Sequence, residues 1–339
     1  MNRFIEIFTG LARAHGKTFV DKKGADGQKI KGKSFVVREP VTEDLWRTHL
    51  QGWEPSLGII PINDDNKCKW GCIDIDSYAG FDHKKLIEKI KKLNLPLIVF
   101  RSKSGGAHVF LFTTVFVEAK LMRDKLLSIS AVLGYGGSEV FPKQVELKSK
   151  DDTGNFLNLP YFKGDDTTRY CFNDNAEAIN LINFYDLYDA KKITPEQLES
   201  LKVNRPETEF SDGPPCLETI TQSEIKDGRD RILYQYIQYA KRKWPESWQS
   251  KINAFNYKYF SSHPEGPLED KIVQGKIKFN DGKELGFKCN EDPMCNFCDK
   301  NLCRTRKFGI GGESVFPILS DLQKVLLDEP YYWVNVDGD

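Results

Sequence analysis

The residues best suited to chemistry lie between Cys72 and Phe162. They form four groups, which are Asp74-Ile75-Asp76, Ser104-Gly105-Gly106-Ala107-His108, Glu139-Val140-Phe141-Pro142-Lys143-Gln144 and Gly154-Asn155-Phe156-Leu157-Asn158-Leu159-Pro160-Tyr161-Phe162. Carboxylates bind divalent cations, and a glycine turn lets backbone N–H groups approach phosphate oxygens. Carboxylates, a glycine turn with a histidine behind it and a second acidic strand are what a nucleotidyl transferase needs. Their order is more informative than any one of them.

Asp74 and Asp76 are the first candidate metal ligands. The stretch 71–75 has the composition of a buried strand, and side chains alternate between the two faces of a strand. The two aspartates therefore share one face, while Ile73 and Ile75 point into the opposite layer. Two neighbouring carboxylates suit Mg²⁺ or Mn²⁺, which prefer oxygen ligands. A pair of solvated aspartates at a strand end would give the same pattern.

A cationic glycine turn follows the next predicted strand. Gly105 and Gly106 have no Cβ to obstruct a phosphate, and Ser104 adds a hydroxyl. Arg101 and Lys103 give the turn positive charge, as a triphosphate pocket requires. A simple hairpin turn would also explain the glycines, and a core histidine would explain the His108 that follows.

A third carboxylate is expected near the strand 139–141. Glu139 stands at its start and Glu146 is a rival for the same role, with the motif context favouring Glu139. Lys143 would neutralise phosphate charge. An exposed carboxylate on an edge strand is the alternative interpretation.

The pattern of the first half alternates strands and helices. It predicts strands at 71–75, 97–100, 107–112 and near 139–141, and helices at 83–93 and 118–133. We expect an α+β fold in which helices pack on one side of a mixed sheet.

With 339 residues the chain is long enough for two domains. We predict a catalytic domain at 1–193, a proline-bearing linker at 194–222 and a smaller, mainly helical domain at 223–339. In that second domain Leu233, Tyr236 and Ile237 recur at helical spacing, and a further helix is expected at 248–260. The segments 317–327 and 331–336 have helix and strand character, and we expect the chain to be the amino-terminal part of a longer polypeptide.

Four cysteines crowd into the second domain as Cys289-x5-Cys295-x2-Cys298-x4-Cys303. They lie among polar residues, and this spacing fits a tetrahedral structural zinc knuckle. An iron–sulfur cluster uses the same ligands and stays open. The flanking cations Lys300, Arg304, Arg306 and Lys307 are candidate template-binding residues, although a solvated basic face is an equal alternative.

Lys plus Arg and Asp plus Glu both number 49, so no overall charge draws the chain to nucleic acid. No apolar run approaches the roughly 20 residues of a membrane span, and no secretory signal is evident. We therefore expect a soluble cytoplasmic protein that does not contact a membrane.

The motifs together resemble the archaeo-eukaryotic primase superfamily, and most closely the primase-polymerases of phages and mobile elements. That superfamily has a hydrophobic strand with Asp-x-Asp, here 73–76, a small-x-His motif, here 106–108, and a third acidic strand position, here Glu139. The segments 141–144 and 155–161 look like signatures that follow in phage members. The resemblance covers about 4–170 through motifs, and departs at Ser138, where a larger apolar residue is expected.

By this resemblance Asp74, Asp76 and Glu139 would hold two Mg²⁺ or Mn²⁺ ions. His108, Ser104 and Lys103 would contact the phosphates of the incoming nucleoside triphosphate, a ribonucleotide or a deoxyribonucleotide. Lys143 would stabilise the leaving pyrophosphate, and Asn155 and Asn158 are candidates to line the pocket, with structural capping an equal alternative.

The resemblance implies a DNA-directed primase that makes primers on single-stranded DNA and extends them as a DNA polymerase, in phage or mobile-element replication. The location would then be the host cytoplasm, and a helicase domain would follow in the same polypeptide. Two rivals are a non-catalytic module that binds single-stranded nucleic acid and an unrelated metal-dependent enzyme such as a glycosyl transferase. The second leaves the cysteines and the segment 141–144 unexplained.

Overall fold

The computed structural model describes residues 1–20, 32–76, 80–202, 208–211 and 213–306. The chain divides into two compact units, Met1–Asn204 and Arg205–Asp339. The elements of the first unit, in chain order, are α1 (Asn2–Ile7), β1 (His15–Val20), β2 (Gly32–Val37), α2 (Glu43–Gln51), β3 (Ser56–Ile59), β4 (Lys67–Ile75), α3 (His83–Lys92), β5 (Leu97–Arg101), β6 (Ala107–Glu118), α4 (Ala119–Leu133), β7 (Glu139–Phe141), β8 (Leu157–Asn158), β9 (Cys171–Phe172), β10 (Ala178–Ile179), α5 (Leu181–Lys191) and α6 (Pro195–Ser200).

Two sheets form the first unit. One has the strand order β2-β1-β3-β8, and the other has the order β10-β9-β5-β6-β4-β7. All described strand pairs are antiparallel, apart from one isolated parallel bridge between Thr113 and Ile193. The expectation of a mixed sheet was therefore wrong.

The reason lies in the route of the chain through the larger sheet. Helix α3 joins β4 to β5, and α4 joins β6 to β7, so each crossover links two strands that run the same way. Each crossover also passes over one strand: β6 lies between β4 and β5, and β4 lies between β6 and β7. This is the split βαβ arrangement of ferredoxin-like domains, in which no neighbouring strands are parallel.

One face of this sheet is covered by α3 and α4. Ile73 and Ile75 of β4 lie in the same buried cluster as Leu86 of α3 and Leu126 of α4. Since burying an aliphatic side chain stabilises the fold by about 1.5–3 kcal/mol, this layer fixes the orientation of β4. The helices and strands expected between 71 and 141 are present, with ends that differ by up to six residues.

The opposite face is covered as well, contrary to the expectation of helices on one side. Phe8, just after α1, packs against Phe110 and Phe112 of β6, and Phe184 of α5 packs against Phe8 and Phe112. These rings belong to a second buried cluster that also holds Trp70 and Cys72 of β4. Because α1 has only six residues, its apolar pattern is too short to predict a helix.

The second unit is helical, as expected. Its elements are α7 (Pro215–Ile220), α8 (Arg229–Lys243), α9 (Trp248–Phe260), α10 (Asp270–Asn280), a 3-10 turn (Met294–Phe297) and α11 (Lys300–Thr305). Tyr236 of α8 stacks on Phe255 of α9 with ring centroids 3.9 Å apart, so both rings belong to the core. Among the described residues no helix combines the length and the apolar character needed to cross a bilayer.

The passage 194–222, expected to be a linker, contains helix at both ends. Leu198 of α6 is buried in the core of the first unit, and Leu217 of α7 is buried in the core of the second. Both helices have proline in the first turn, where its missing N–H costs no hydrogen bond. Prolines that suggest a linker therefore start two short helices. The elements expected at 317–327 and 331–336 lie outside the described residues.

Candidate active site

Three of the predicted site residues lie in one row across the larger sheet. Asp74 of β4 is paired with His108 of β6 on one side and with Glu139 of β7 on the other. Directly paired residues point to the same face, with Cβ atoms about 4.5–5.5 Å apart. The row therefore brings two carboxylates and one imidazole together.

The row lies where the aromatic layer of that face ends. Cys72, Phe110 and Phe141 are the neighbours two residues further along the three strands, and all three are buried. In the row itself the side-chain exposure rises from 11% at His108 to 20% at Asp74, and Glu139 is 60% exposed. The row thus opens from the buried layer to solvent.

His108 contacts Asp74 directly. Its Nε2 lies 3.2 Å from Oδ1 of Asp74, and its ring packs edge-on against Phe110 with centroids 6.2 Å apart. The phenylalanine restricts the imidazole, and the imidazole in turn positions the carboxylate. Asp76 follows β4 directly and is exposed.

Glu139 forms an ion pair with Lys143, whose Nζ is 2.6 Å from Oε2 of the glutamate. The same Nζ lies 5.0 Å from the centroid of the Phe141 ring. The backbone carbonyl of Lys143 accepts a hydrogen bond from Nε of Arg123. A cation on a flexible side chain therefore stands beside the outermost carboxylate. Glu146 is exposed and lies beyond the end of β7, outside the row.

The glycine segment is a tight hairpin between β5 and β6. Ser102 N donates to Gly106 O at 2.9 Å, and Gly105 N donates to Ser102 O at 3.1 Å. Gly105 has φ +97°, which side-chain-bearing residues rarely adopt, so the turn requires glycine here. Of the two glycine N–H groups expected to approach a phosphate, that of Gly105 is used to close the turn.

Cations and hydroxyls surround this hairpin. Arg101 donates from Nη1 to Thr168 O at 3.2 Å, and its Nη2 lies 3.5 Å from the position that a Cβ on Gly105 would take. The hydroxyls of Ser102 and Ser104 are 3.3 Å apart. Lys103 lies in the turn and is partly exposed.

His83 also supports the hairpin, although sequence reasoning did not identify it. Its Nε2 lies 3.0 Å from Gly106 O, and its ring lies 4.7 Å from that of Phe172 between centroids. Burial lowers the pKa of His83, so the ring is neutral at pH 7 and donates from Nε2 to the carbonyl. Nothing in the sequence distinguishes this histidine from a surface residue at the start of a helix.

The segments 141–144 and 155–161 are joined through Gln144 and Asn155. Gln144 Nε2 donates to Asn155 Oδ1 at 2.6 Å, and Asn155 N donates to Gln144 Oε1 at 2.9 Å. Asn158 is placed differently, because it lies in β8 of the smaller sheet, where it pairs with Gly58. Its Oδ1 is buried without a hydrogen-bond partner among the described residues.

The cysteines of the second unit are not grouped in space as their sequence spacing predicts. Cys289, Cys298 and Cys303 line a cavity of about 20 Å³ together with Cys216, the second residue of α7. Cys295 does not line this cavity. Sequence spacing could not identify Cys216, because it lies far from the other cysteines in the chain.

Burial and the neighbouring sulfur atoms favour neutral thiols in this cavity. They raise the pKa of Cys298 to about 11 and that of Cys303 to about 12. In the described parts of both units, no three His, Cys, Asp or Glu side chains stand close enough together to hold a metal ion as they are.

The predicted template-binding residues are only partly described. Lys300 begins α11, while the side chain of Arg304 and all of Lys307 lie outside the description. Arg306 Nη2 is 2.9 Å from Oε2 of the buried Glu218, and its Nη1 donates to the carbonyls of Phe210 and Gly213. Arg306 therefore serves the fold of the second unit.

Comparison with known proteins identifies a family and several solved structures. A family model described as "TOTE conflict system, Archaeo-Eukaryotic Primase domain" matches residues 10–201. A solved structure titled "Crystal structure of primase RepB'" is 10% identical with a TM-score of 0.26, and the match covers 89% of this chain and 97% of that chain. Similarity this low supports no conclusion about function. No curated protein matches the chain.

The family model spans the hairpin, the row of Asp74, His108 and Glu139, and the joined segments that follow. The resemblance to the archaeo-eukaryotic primase superfamily that was inferred from the motifs is thereby confirmed. Since the match extends over more than half of the 339 residues, the chain belongs to the archaeo-eukaryotic primase domains of TOTE conflict systems, a family of nucleotidyl transferases.

Proposed function

We propose that this chain is a DNA-directed primase that joins nucleoside triphosphates on a single-stranded DNA template and extends the resulting primers as a DNA polymerase. The observation that carries the proposal is the strand register that makes His108, Asp74 and Glu139 neighbours at the open end of the larger sheet. Transfer of a nucleotide needs positioned carboxylates more than a covalent protein group, and this row supplies them.

Asp74, Asp76 and Glu139 are the residues that would hold two Mg²⁺ or Mn²⁺ ions, once their side chains draw closer together than they stand in this structure. Their donors are carboxylate oxygens, which these hard cations prefer. The ammonium of Lys143, 2.6 Å from Glu139, indicates that the outer carboxylate attracts a cation. When bound, the ions would activate the 3′-hydroxyl of the primer and bind the triphosphate.

The remaining residues would position the substrates. His108 holds the carboxylate of Asp74 in place through the 3.2 Å contact, and Phe110 restricts the imidazole. Arg101, Lys103, Ser104 and Gly106 would face the triphosphate from the hairpin. Charge-assisted hydrogen bonds from such groups are about twice as strong as neutral ones.

Lys143 would assist the departure of pyrophosphate. The 3′-oxygen attacks the α-phosphorus, the bond to the β-phosphate oxygen breaks, and negative charge develops on the leaving group. An ammonium on a flexible stem next to Glu139 can turn toward this charge. Asn155, held by Gln144, would line the nucleotide pocket.

The experiment is primer synthesis by the full chain with single-stranded DNA, labelled nucleotides and Mg²⁺ or Mn²⁺. We expect labelled products from the wild type and none from the Asp74→Ala, Asp76→Ala double variant. Asp124→Asn, which changes an exposed ion pair with Lys120 on α4, is the matched control and should retain synthesis. The proposal fails if the wild type makes no product, or if the double variant makes as much as the control. The first result would favour a non-catalytic binding module.

For the second unit we propose a structural zinc ion held by thiolates. Cys289, Cys298 and Cys303 are common to the predicted knuckle and to the cavity, and the cavity supports Cys216 as the fourth ligand in place of Cys295. The thiols would have to lose their protons and draw closer to bind the ion. Metal analysis of the Cys216→Ser and Cys295→Ser variants discriminates between the two possible fourth ligands, since only replacement of the true ligand should lower the zinc content. Detection of iron together with inorganic sulfide would instead indicate an iron–sulfur cluster.

The setting in phage or mobile-element replication, and a helicase linked to this chain, also belong to the proposal. They rest on the resemblance of the motifs to phage members. Unwinding of duplex DNA by the natural full-length polypeptide, driven by ATP, would test the linked helicase.

A further inference from the structure

Two phenylalanines are exposed side by side on the smaller sheet. Phe19 of β1 is 39% exposed and Phe35 of β2 is 46% exposed, and their ring centroids lie 6.1 Å apart with planes 24° from parallel. In the register of the two strands, Phe19 is opposite Lys33 and Phe35 is opposite Lys17. Aromatic rings and cations therefore alternate on one face.

On the same face, the neighbouring strand β3 is buried. Lys17 of β1 pairs with Phe35 of β2 on one side and with Leu57 of β3 on the other. Leu57 is buried in the same cluster as Trp46 of α2. The reverse face of β1 is also buried, since Thr18 has no exposed surface. The two rings thus stand where the covered part of the sheet gives way to β2, whose residues 33–36 are all exposed.

The charge of this margin is positive. Strands β1 and β2 contain no Asp or Glu among their described residues. Lys33 is exposed and Lys17 is partly exposed. An apolar partner would gain nothing from these two cations, whereas a polyanion would.

We propose that Lys17, Phe19, Lys33 and Phe35 form a binding surface for single-stranded nucleic acid. Unpaired bases would stack on the two rings, and the lysines would contact the backbone phosphates. Bases within a duplex are already stacked on each other, so the surface selects single strands. The inference rests on the proposed function only in identifying the bound strand as the template.

The test is fluorescence anisotropy of labelled single-stranded DNA with the full chain, which requires no catalysis. We expect the Phe19→Ala, Phe35→Ala double variant to bind about tenfold or more weakly, since each stacked base contributes substantially. Phe116→Ala is the matched control, because Phe116 is also 39% exposed but lies on β6 of the other sheet. It should bind as the wild type does.

The lysines have a separate readout. Replacing Lys17 and Lys33 with glutamine should reduce the slope of log affinity against log salt by about 0.7 for each phosphate that a lysine no longer neutralises. Should the alanine variants fold poorly, DNA carrying 5-iodouridine can be cross-linked to the wild type, and the cross-links should map to the peptides containing Phe19 and Phe35.

Binding by the double variant within twofold of the Phe116→Ala control, or cross-links only elsewhere, would overturn the proposal. A wild type that binds through this surface but synthesises no primer would refute the proposed function and leave the surface intact. A wild type that synthesises primers, together with a double variant that binds normally, would refute the binding surface and leave the proposed function intact.

Discussion

The substitution Gly71→Ala should separate the two carboxylates of the row without altering either. Gly71 lies on β4 between α4 and β7, and an added Cβ would be 2.5 Å from Cδ1 of Leu126 and 2.8 Å from the backbone oxygen of Phe141. Ordinary contacts are about 3.5–4.0 Å, so β7 must move by about half an ångström or more, whereas Cδ1 of Leu126 ends a flexible side chain that can turn away. Glu139 is only two residues from Phe141 and moves with it.

Two magnitudes follow from that displacement. Overpacking of a close-packed core costs about 1–3 kcal/mol, which lowers the melting temperature of a unit of this size by several degrees. A misplacement of about 1 Å can cost on the order of 100-fold in rate, so half of that should cost about tenfold in kcat. Primer extension at saturating nucleotide and thermal unfolding measure the two effects.

Gly275→Ala is the control for this experiment. Gly275 lies in α10, and apart from its chain neighbours and the backbone of its own helix nothing lies within 4 Å of the added Cβ. Alanine should therefore stabilise that helix by up to about 1 kcal/mol and leave extension unchanged. If Gly71→Ala unfolds at the wild-type temperature and extends primers at the wild-type rate, the packing of β7 against β4 does not set the position of Glu139. The register argument would then be refuted.

Burial lowers the pKa of His49 from 6.5 to about 4, because the folded protein favours the neutral ring. The free energy of unfolding is therefore highest above pH 6.5 and decreases as the pH falls toward 4. Between pH 7.5 and 5 the loss is roughly 2 kcal/mol, and urea unfolding of His49→Gln should lack this part of the pH dependence; equal curves for both proteins would contradict it. His108→Ala should lower primer synthesis by about 10- to 100-fold, because Asp74 loses its positioning partner, and full activity in Mg²⁺ would exclude that role. Gln144→Ala should destabilise the first unit by about 0.5–1.5 kcal/mol and raise the KM for nucleotide as Asn155 is released; an unchanged KM would remove Asn155 from the pocket.

Local patterns predicted the parts of the fold that local sequence determines. The strand containing Asp74, the hairpin at Gly105 and the helix 83–92 follow from alternation, paired glycines and apolar spacing. The shared face of Asp74 with the aromatic layer, opposite Ile73, also follows from alternation.

Pairing between distant strands could not be predicted in the same way. The register that sets Asp74 beside Glu139 depends on how β7 docks, and a slip of one residue would turn Glu139 to the other face. The same limit applies to Cys216, which joins the other cysteines only through the folding of the second unit. His83 was missed because its role depends on the carbonyl of Gly106, to which no motif points.

The insertion of β4 between β6 and β7 has a consequence for the order in which this protein can mature. Asp74 and His108 meet as soon as the β5–β6 hairpin has joined β4, but the place beside Asp74 on its other edge stays vacant until β7 arrives. A nascent chain that has not yet emerged past Phe141 would therefore carry Asp74 and His108 without the third member of the row. Glu139 joins them only with the docking of a strand three residues long.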